Sequence, residues 1–442
     1  MEAGGNKSSG AEGVAVAARD AVFTVKNSII FLLTFSLLLL DYASRQAINA
    51  IFPVLKAEWR LSDTELGSLV SIVVLTVGIL TVPLSMVADR FGRAKSIAVM
   101  AVVWSLATLA CGLAANYGQM FAARLAMGVG EAAYASAGLA ILIGIFPARM
   151  RTTIVGLFLA GAIFGSILGL AAGGAVAAHF GWRTSFYVLA GAGALLGIIY
   201  PLVVSDRRQR VVEAHPNPAS TSQASASISF GKLAIELVST RSLVCAYLGG
   251  GLQLFVLSAF ITWIPSFLNR SYGLSMSQAA VQASALVLAV GVGMIACSVL
   301  TDRIGRSRPS LKMIAAGVYC LLTAGLLLAA FTAPHGSVQI GLIAAGMFFA
   351  GGTSGPAAAI PTDVSRASIH ATILGFSALA NALLGQAPGP FVTGMIADRS
   401  DLMTALRIVP LVSLAACAAF WLGQRYYDRD VARIKALAET AH

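Results

Sequence analysis

Four side chains carry charge into stretches that otherwise read as hydrocarbon-soluble. Asp41 and Arg45 stand one helical turn apart, and Arg124 and Glu131 seven residues apart, close to two turns. On a helix each pair shares a face, with the carboxylate near the middle of the span and the arginine outward of it. Arginine stays charged at any relevant pH and binds carboxylate or phosphate through a planar fork. A carboxylate that is desolvated yet close to a cation can take up and release a proton as its surroundings change. Arg45 and Arg124 are therefore candidates for gripping an anionic substrate, and Glu131 and Asp41 for coupling its movement to protons.

A charge in hydrocarbon costs about 2.5–3.5 kcal/mol on the more lenient scale, so four of them facing lipid would cost on the order of 10 kcal/mol. The expectation is that they face one another across a water-filled cavity. Inert struts are the poorer reading, because buried ion pairs stabilise less well than apolar packing. His179, His215, His335, His370 and His442 fall in loops, tails or helix ends and are badly placed for proton work. Tyr134, nearly one turn past Glu131, could cover the ligand. The second half offers Gln253, Trp263, Asn381 and Gln386 at mid-helix as the other wall. No span of that half carries a charge at its centre, so the first half is expected to hold the chemistry and the second to supply shape.

The elements that must position these residues are membrane helices. Of 442 residues 57% are apolar and 11% charged, against about a quarter charged in soluble domains. A crossing needs about 20 apolar residues, and twelve such blocks occur, at 28–52, 65–87, 96–115, 118–145, 152–178, 183–204, 242–268, 278–300, 311–331, 338–360, 370–396 and 402–424. The fold class is all-α polytopic membrane protein. The first 26 residues mix acids and bases with no apolar core before a cleavage site, so the first helix is expected to act as its own insertion signal. An even helix count puts both termini on one side. That side holds 22 of the 30 basic residues and the other side 6, a skew that predicts cytoplasmic termini in an inner or plasma membrane. The net charge of +11 is thereby explained without nucleic acid. Cys111, Cys245, Cys297, Cys320 and Cys417 lie in apolar segments without metal-like spacing and read as small buried hydrophobes. No metal or other cofactor is expected.

A repeat organises the helices. "ADRFGR" follows the second block and "TDRIGR" the eighth, with Asp89, Arg90, Gly92 and Arg93 recurring as Asp302, Arg303, Gly305 and Arg306, 213 residues on. The aspartates could cap a neighbouring helix or pair with Arg93 and Arg306, while the glycine permits a tight turn. Such loops would form a cytoplasmic gate, latching the halves in one state and releasing them in another. The expected domains are a cytoplasmic tail 1–26, a six-helix bundle 27–204, a cytoplasmic Ser/Ala-rich loop 205–241, a second six-helix bundle 242–424 and a cytoplasmic tail 425–442. An even number of helices per half makes these parallel repeats. Small residues at helical spacing in "GLFLAGAIFGSILGLAAGG" invite close backbone approach. Gly385, Pro388, Gly389 and Pro390 should kink the eleventh span.

The twice-occurring D-R-x-G-R loop and "RLAMGVGE" of helix four resemble the major facilitator superfamily, from about Asn27 to Arg425. Family members usually carry Gly four residues before the loop Asp, where Ser85 and Ser298 stand here. The likeness implies two pseudo-symmetric six-helix bundles working by alternating access. "YASRQAINAIFP" resembles helix one of the anion:cation symporter branch, with Ser44 in place of its Asp and Asp41 one turn earlier. "GEAAY", "FPARMRTTIVGLFLAGAIFGSILG" and "HFGWRTSFYVLAG" look more like the spinster-like branch. The expectation is a monomeric, proton-coupled secondary transporter of a small organic anion, a carboxylate such as a sugar acid or aromatic acid. The alternative is a spinster-like, proton-coupled carrier of a lysolipid or other anionic amphiphile. No phosphate loop, metal cluster or nucleophile motif suggests an enzyme, and the short C-terminal tail argues against a sensor.

Overall fold

The computed structural model describes residues 25–146, 150–204, 240–306, 308–365 and 369–439, and the regular structure among them is helical. Most of tail 1–26 and of loop 205–241 lies outside the described residues. The spans, in chain order, are α1 (Val25–Trp59), α2 (Asp63–Phe91), α3 (Arg93–Leu113), α4 (Tyr117–Glu131 and Tyr134–Ile145), α5 (Arg151–Phe180) and α6 (Trp182–Val203). The second half has α7 (Arg241–Tyr272), α8 (Met276–Gly305), α9 (Leu311–Thr332) and α10 (Ser337–Gly352 and Ser354–Asp363). It ends with α11 (His370–Asn381, a π-helical turn Ala382–Gln386, then Pro388–Arg399) and α12 (Leu402–Ile408 and Leu411–Glu439). Among the described residues, eleven spans are long and apolar enough to cross a membrane. The twelfth crossing, α11, is assembled from three pieces. Large side chains such as Leu202, Leu113 and Ile295 stand exposed on the outside, an apolar exterior suited to lipid rather than water.

The repeat reaches further than the loops. Ser62 caps α2 with its hydroxyl while the Glu65 side chain accepts from the Ser62 N–H, and Ser275 and Gln278 build the same reciprocal cap on α8, again 213 residues on. Gly92 sits at φ 103°, ψ 128° between α2 and α3, the turn that glycine permits. Gly305 stays helical, and its lack of a side chain instead makes room for Lys312.

Four glycines of α5, spaced every four residues, lie against α1: Gly161 on Phe35, Gly165 on Leu39 and Tyr42, Gly169 on Ala43 and Gly173 on Ala47. A methyl group at Gly165 or Gly169 would run into the α1 backbone. This contact holds the stretch of α1 that carries Asp41 and Arg45. The expected kink of α11 is the π turn, which ends where Pro388 restarts the helix.

The C-terminal segment from residue 425 is not a loose tail, because α12 continues as helix to Glu439. It is pinned to its own half. Tyr427 donates from its hydroxyl to Asp363, and Asp430 accepts from the backbone N–H and hydroxyl of Ser242 at the start of α7.

With twelve crossings α1 starts and α12 ends at one face, here the terminal face; the opposite is the far face. The halves meet through α2 with α11, α5 with α8, and α1 with α7. Hydrogen bonds and ion pairs join the halves at the far face. Asp63, heading α2, is clamped by Arg270 of α7 at 2.6 and 2.8 Å and by Lys56 of α1 at 2.7 Å. Asp398 of α11 accepts from the N–H groups of Asp63 and Thr64 at 2.7 and 2.8 Å and from the Thr64 hydroxyl at 2.6 Å. It thus caps α2 from the other half and complements the positive end of that helix.

Candidate functional site

The four intramembrane charges converge. Arg45 Nε lies 2.7 Å from Glu131 Oε2, and Arg45 Nη2 lies 3.7 Å from Asp41 Oδ2. The first contact is close but poorly aligned, an ion pair more than a hydrogen bond. Arg45 also stacks over the Tyr42 ring, 5.0 Å from its centroid. Glu131 ends the first segment of α4. The helix breaks at Ala132 and Ala133 and restarts at Tyr134, so the carboxylate sits at a discontinuity. α10 breaks at the matching depth, at Thr353.

Arg124 takes a different place from the one its spacing implied. It is fully buried and its N–H groups turn to the backbone, Nε donating to Leu69 O at 2.9 Å and Nη2 to Arg45 O at 3.4 Å. A third contact reaches the Met127 sulfur at 3.5 Å. Arg124 therefore ties α4 to α2 and α1 at the edge of the open space that it lines together with Arg45.

That space is a cavity of about 170 Å³ between the halves. The first half contributes Tyr42, Arg45, Gln46, Arg124 and Ser166. The second contributes Ser258 and Thr262 of α7 and Gln386 of α11, among apolar side chains that include Leu254 and Ile261. A second cavity, about 230 Å³, lies towards the terminal face within the second half. Leu254 is common to both, and Gly250, Thr353, Ala357, Leu374, Ser377 and Asn381 also line it. A third, about 10 Å³, lies between Asp41, Glu131, Tyr134 and Trp104.

Of the second-half candidates, Gln386 lines the first cavity and Asn381 the second. Gln253 is buried against α9, donating to the Thr323 hydroxyl at 3.1 Å, and Trp263 donates to Pro390 O at 3.0 Å while packing on Phe52. Neither lines a cavity described here. Tyr134 faces the small cavity, its hydroxyl donating to Thr34 O. At the terminal face Asp302, Arg303 and Arg306 are exposed, without a hydrogen bond or ion pair among the described residues, and Arg90 is exposed too. Arg93 is engaged, and the side chain of Asp89 lies outside the described residues.

Residue types alone missed Gln46, Ser166, Ser258 and Thr262. The period of 254, 258 and 262 along α7 was the signal for Ser258 and Thr262. The far-face clamp was missed as well. It had a clue in "MIADR" at 395–399, which echoes "MVADR" at 86–90, so that both members of the α2–α11 pair end on Ala-Asp-Arg.

The chain is similar to known proteins. A family model described as Major Facilitator Superfamily matches residues 34–390. A probable L-galactonate transporter of Escherichia coli (strain K12) is 25% identical over 400 residues, covering 88% of this chain and 87% of its own. A probable sphingolipid transporter, spinster homolog 1 of Arabidopsis thaliana, is 24% identical over 388 residues, covering 82% and 78%. The crystal structure of a bacterial homolog of the human lysosomal transporter Spinster, in an inward-facing and occupied conformation, superposes with a TM-score of 0.82 at 20% identity, covering 92% of this chain and 99% of that one.

Proposed function

The chain belongs to the Major Facilitator Superfamily, and from that premise we propose that it is a proton-coupled secondary transporter that carries a small organic anion by alternating access. The observation that carries the reading is Arg45, which lines the cavity between the halves while two carboxylates hold it from behind. With Glu131 and Asp41 both ionised, the guanidinium is engaged. A proton on Glu131 loosens that pair and frees the planar fork for a substrate carboxylate, which it can bind through two parallel hydrogen bonds. Proton and anion thus bind together. An anion entering against a negative-inside potential meets about 2.3 kcal/mol per charge per 100 mV, and more than one co-transported proton reverses that penalty.

In this reading Arg45 contacts the substrate, and Arg124 fixes the helices around it and adds positive charge. Gln46, Ser166, Ser258, Thr262 and Gln386 are the hydroxyl and amide partners suited to a sugar acid or hydroxylated aromatic acid. The moving bodies are residues 27–204 and 242–424. The terminal face is cytoplasmic, in keeping with its share of the basic residues. The inner loops Asp89–Arg93 and Asp302–Arg306 close that face in the opposite state, and here, with the far face clamped, the site is reached from the terminal side. A cavity of about 170 Å³ is below the roughly 300–1,000 Å³ of drug-sized sites, which supports a small solute.

The test is uptake into proteoliposomes under an imposed pH gradient, with L-galactonate, gallate and cis,cis-muconate as probes. Wild type is expected to accumulate at least one of them, and Glu131→Gln to bind it without accumulation. Gradient-driven uptake that survives Glu131→Gln would falsify the coupling role. The second cavity supports a second reading, an anionic amphiphile with its head at Arg45 and its tail along Leu254, Ala357 and Leu374. Stabilisation of the purified protein by lysophospholipid but by none of the acids would favour it.

A further inference from the structure

Helix α12 keeps one outward face past the end of its apolar stretch, 402–424. Within that stretch Leu414, Trp421 and Leu422 stand exposed on it. Arg425, Arg429 and Arg433 follow, and all three are exposed. Steps of four keep these arginines within about 80° of one another around the axis, and Trp421 precedes Arg425 by the same step. The side of the span that faces lipid therefore runs straight on into a row of arginines. None of the three makes a hydrogen bond or ion pair among the described residues.

The opposite face fixes where the row points. Tyr427 is 1% exposed and donates to Asp363 at the end of α10, and Asp430 accepts from Ser242 at the start of α7. Val431 packs against the same apolar cluster as Tyr427. Held this way, the helix cannot roll its arginines aside. Arg429 and Arg433 lie about 6 and 12 Å further along the axis than Arg425. The headgroup layer is roughly 5–8 Å deep on each side of a bilayer. Arg425 and Arg429 therefore stand within that layer, and Arg433 at its outer edge can reach back on its long stem. A tryptophan at the boundary, as Trp421 is here, suits the same interface. Charges that only set topology could sit on any side of a helix end, whereas these continue the lipid side alone. Asp428, also exposed, flanks the row; three arginines and one aspartate leave a net +2.

We propose that Arg425, Arg429 and Arg433 form a docking surface for the phosphate groups of anionic phospholipids, outside the transport path. A guanidinium offers its planar fork to phosphate oxygens, and basic clusters beside a membrane span are drawn to anionic lipid. The inference rests on the chain spanning a membrane and not on the proton-coupled reading. Because the other face of the helix holds the ends of α7 and α10, lipid seated on the row steadies those ends too. Free phosphate presents the same oxygens, but it lacks the acyl chain that lies along Trp421 and Leu422.

The test uses the full-length protein in neutral detergent, with the thermal midpoint followed as lipid is added. Dioleoylphosphatidylglycerol is expected to raise the midpoint, and dioleoylphosphatidylcholine and inorganic phosphate are not. The half-saturating concentration should rise with salt, since exposed charges are screened. The triple variant Arg425→Gln/Arg429→Gln/Arg433→Gln should need roughly 100-fold more of the anionic lipid. Arg90→Gln/Arg303→Gln/Arg306→Gln removes as much charge from the same face and should respond as wild type does. An equal response to phosphatidylcholine or to phosphate overturns the proposal, as does an equal loss in both triple variants. A photoactivatable phosphatidylglycerol gives a check on wild type alone. It should label the segment 414–433; label confined to the central cavity would mark a transported amphiphile and overturn the docking surface.

Discussion

Arg45 is asked to serve two partners, and its own chemistry sets what a substitution does. Lysine keeps the charge but loses the fork, so Arg45→Lys should bind the transported acid about 10- to 100-fold more weakly, a loss of one to two charge-assisted hydrogen bonds, as calorimetry would read. Arg45→Ala should do more. It leaves two buried carboxylates without their cation, a change that destabilises by roughly 3–5 kcal/mol. Combining it with Glu131→Ala should recover part of that loss, because neighbouring sites are not additive. Denaturation curves in which the double variant is as unstable as the sum of the singles would show that the pair does not interact. The charged core of this site was legible from residue type and helical spacing alone, since no other acids stand so deep in an apolar span. The division of labour was not. Spacing places Arg124 and Glu131 on one face, but which carbonyls sit opposite Arg124 depends on how α1 and α2 cross α4, and that is written in packing, not in α4.

Whole helices carry the next layer. The glycines of α5 let it lie on α1 with almost no side chain between, and α1 bears Asp41 and Arg45. Gly169→Ala forces a methyl group into the Ala43 backbone. Overpacking of this kind costs about 1–3 kcal/mol, and the displaced α1 should weaken substrate binding as well. A thermal midpoint unchanged from wild type would contradict the close approach. These glycines and the broken α11 could be read from sequence because Gly and Pro act locally. The break in α4 could not, for "EAAY" holds neither residue, whereas the break in α10 falls in "GGTSGP", where Pro356 lacks the N–H that would bond to Gly352. The continuation of α12 to Glu439 was also hidden: its anchors, Tyr427 and Asp430, find Asp363 and Ser242 only in three dimensions.

At the scale of the molecule, the two halves are held by charge at the far face. Arg270→Gln should weaken the clamp and raise the fraction of molecules open on the far side. A cysteine at Ser258 reports this well, since the native cysteines are buried. Labelling of Ser258→Cys by a membrane-impermeant thiol reagent from the far side should be faster with Arg270→Gln than without it. The same assay should respond to acid. Asp398, exposed beyond the apolar stretch 370–396, has an ordinary value of 3.8. Its partial burial would raise that value, but hydrogen bonds from the Thr64 hydroxyl and from the N–H groups of Thr64 and Asp63 outweigh it and hold the carboxyl lower. A depressed carboxylate stabilises the closed far face above its ordinary pKa and loses that contribution as pH falls through the lowered one. Closure should therefore be insensitive to pH near neutrality and loosen only in strong acid. The two-bundle plan and the repeat were evident from the loops. The far-face clamp was not, because its partners come from α1, α2, α7 and α11 and share no motif that reads as one unit.

The meeting of α2 and α11 has one more implication. Gly67 lies directly on the Pro390 carbonyl, and Gly394 on the carbonyl of Asp63, with nothing softer than main chain between them. A single methyl at Gly67 would act as a wedge in the jamb of the outer door. Such a variant should still capture its ligand, yet never swing shut behind it, turning a carrier into a receptor trapped at one station of its cycle.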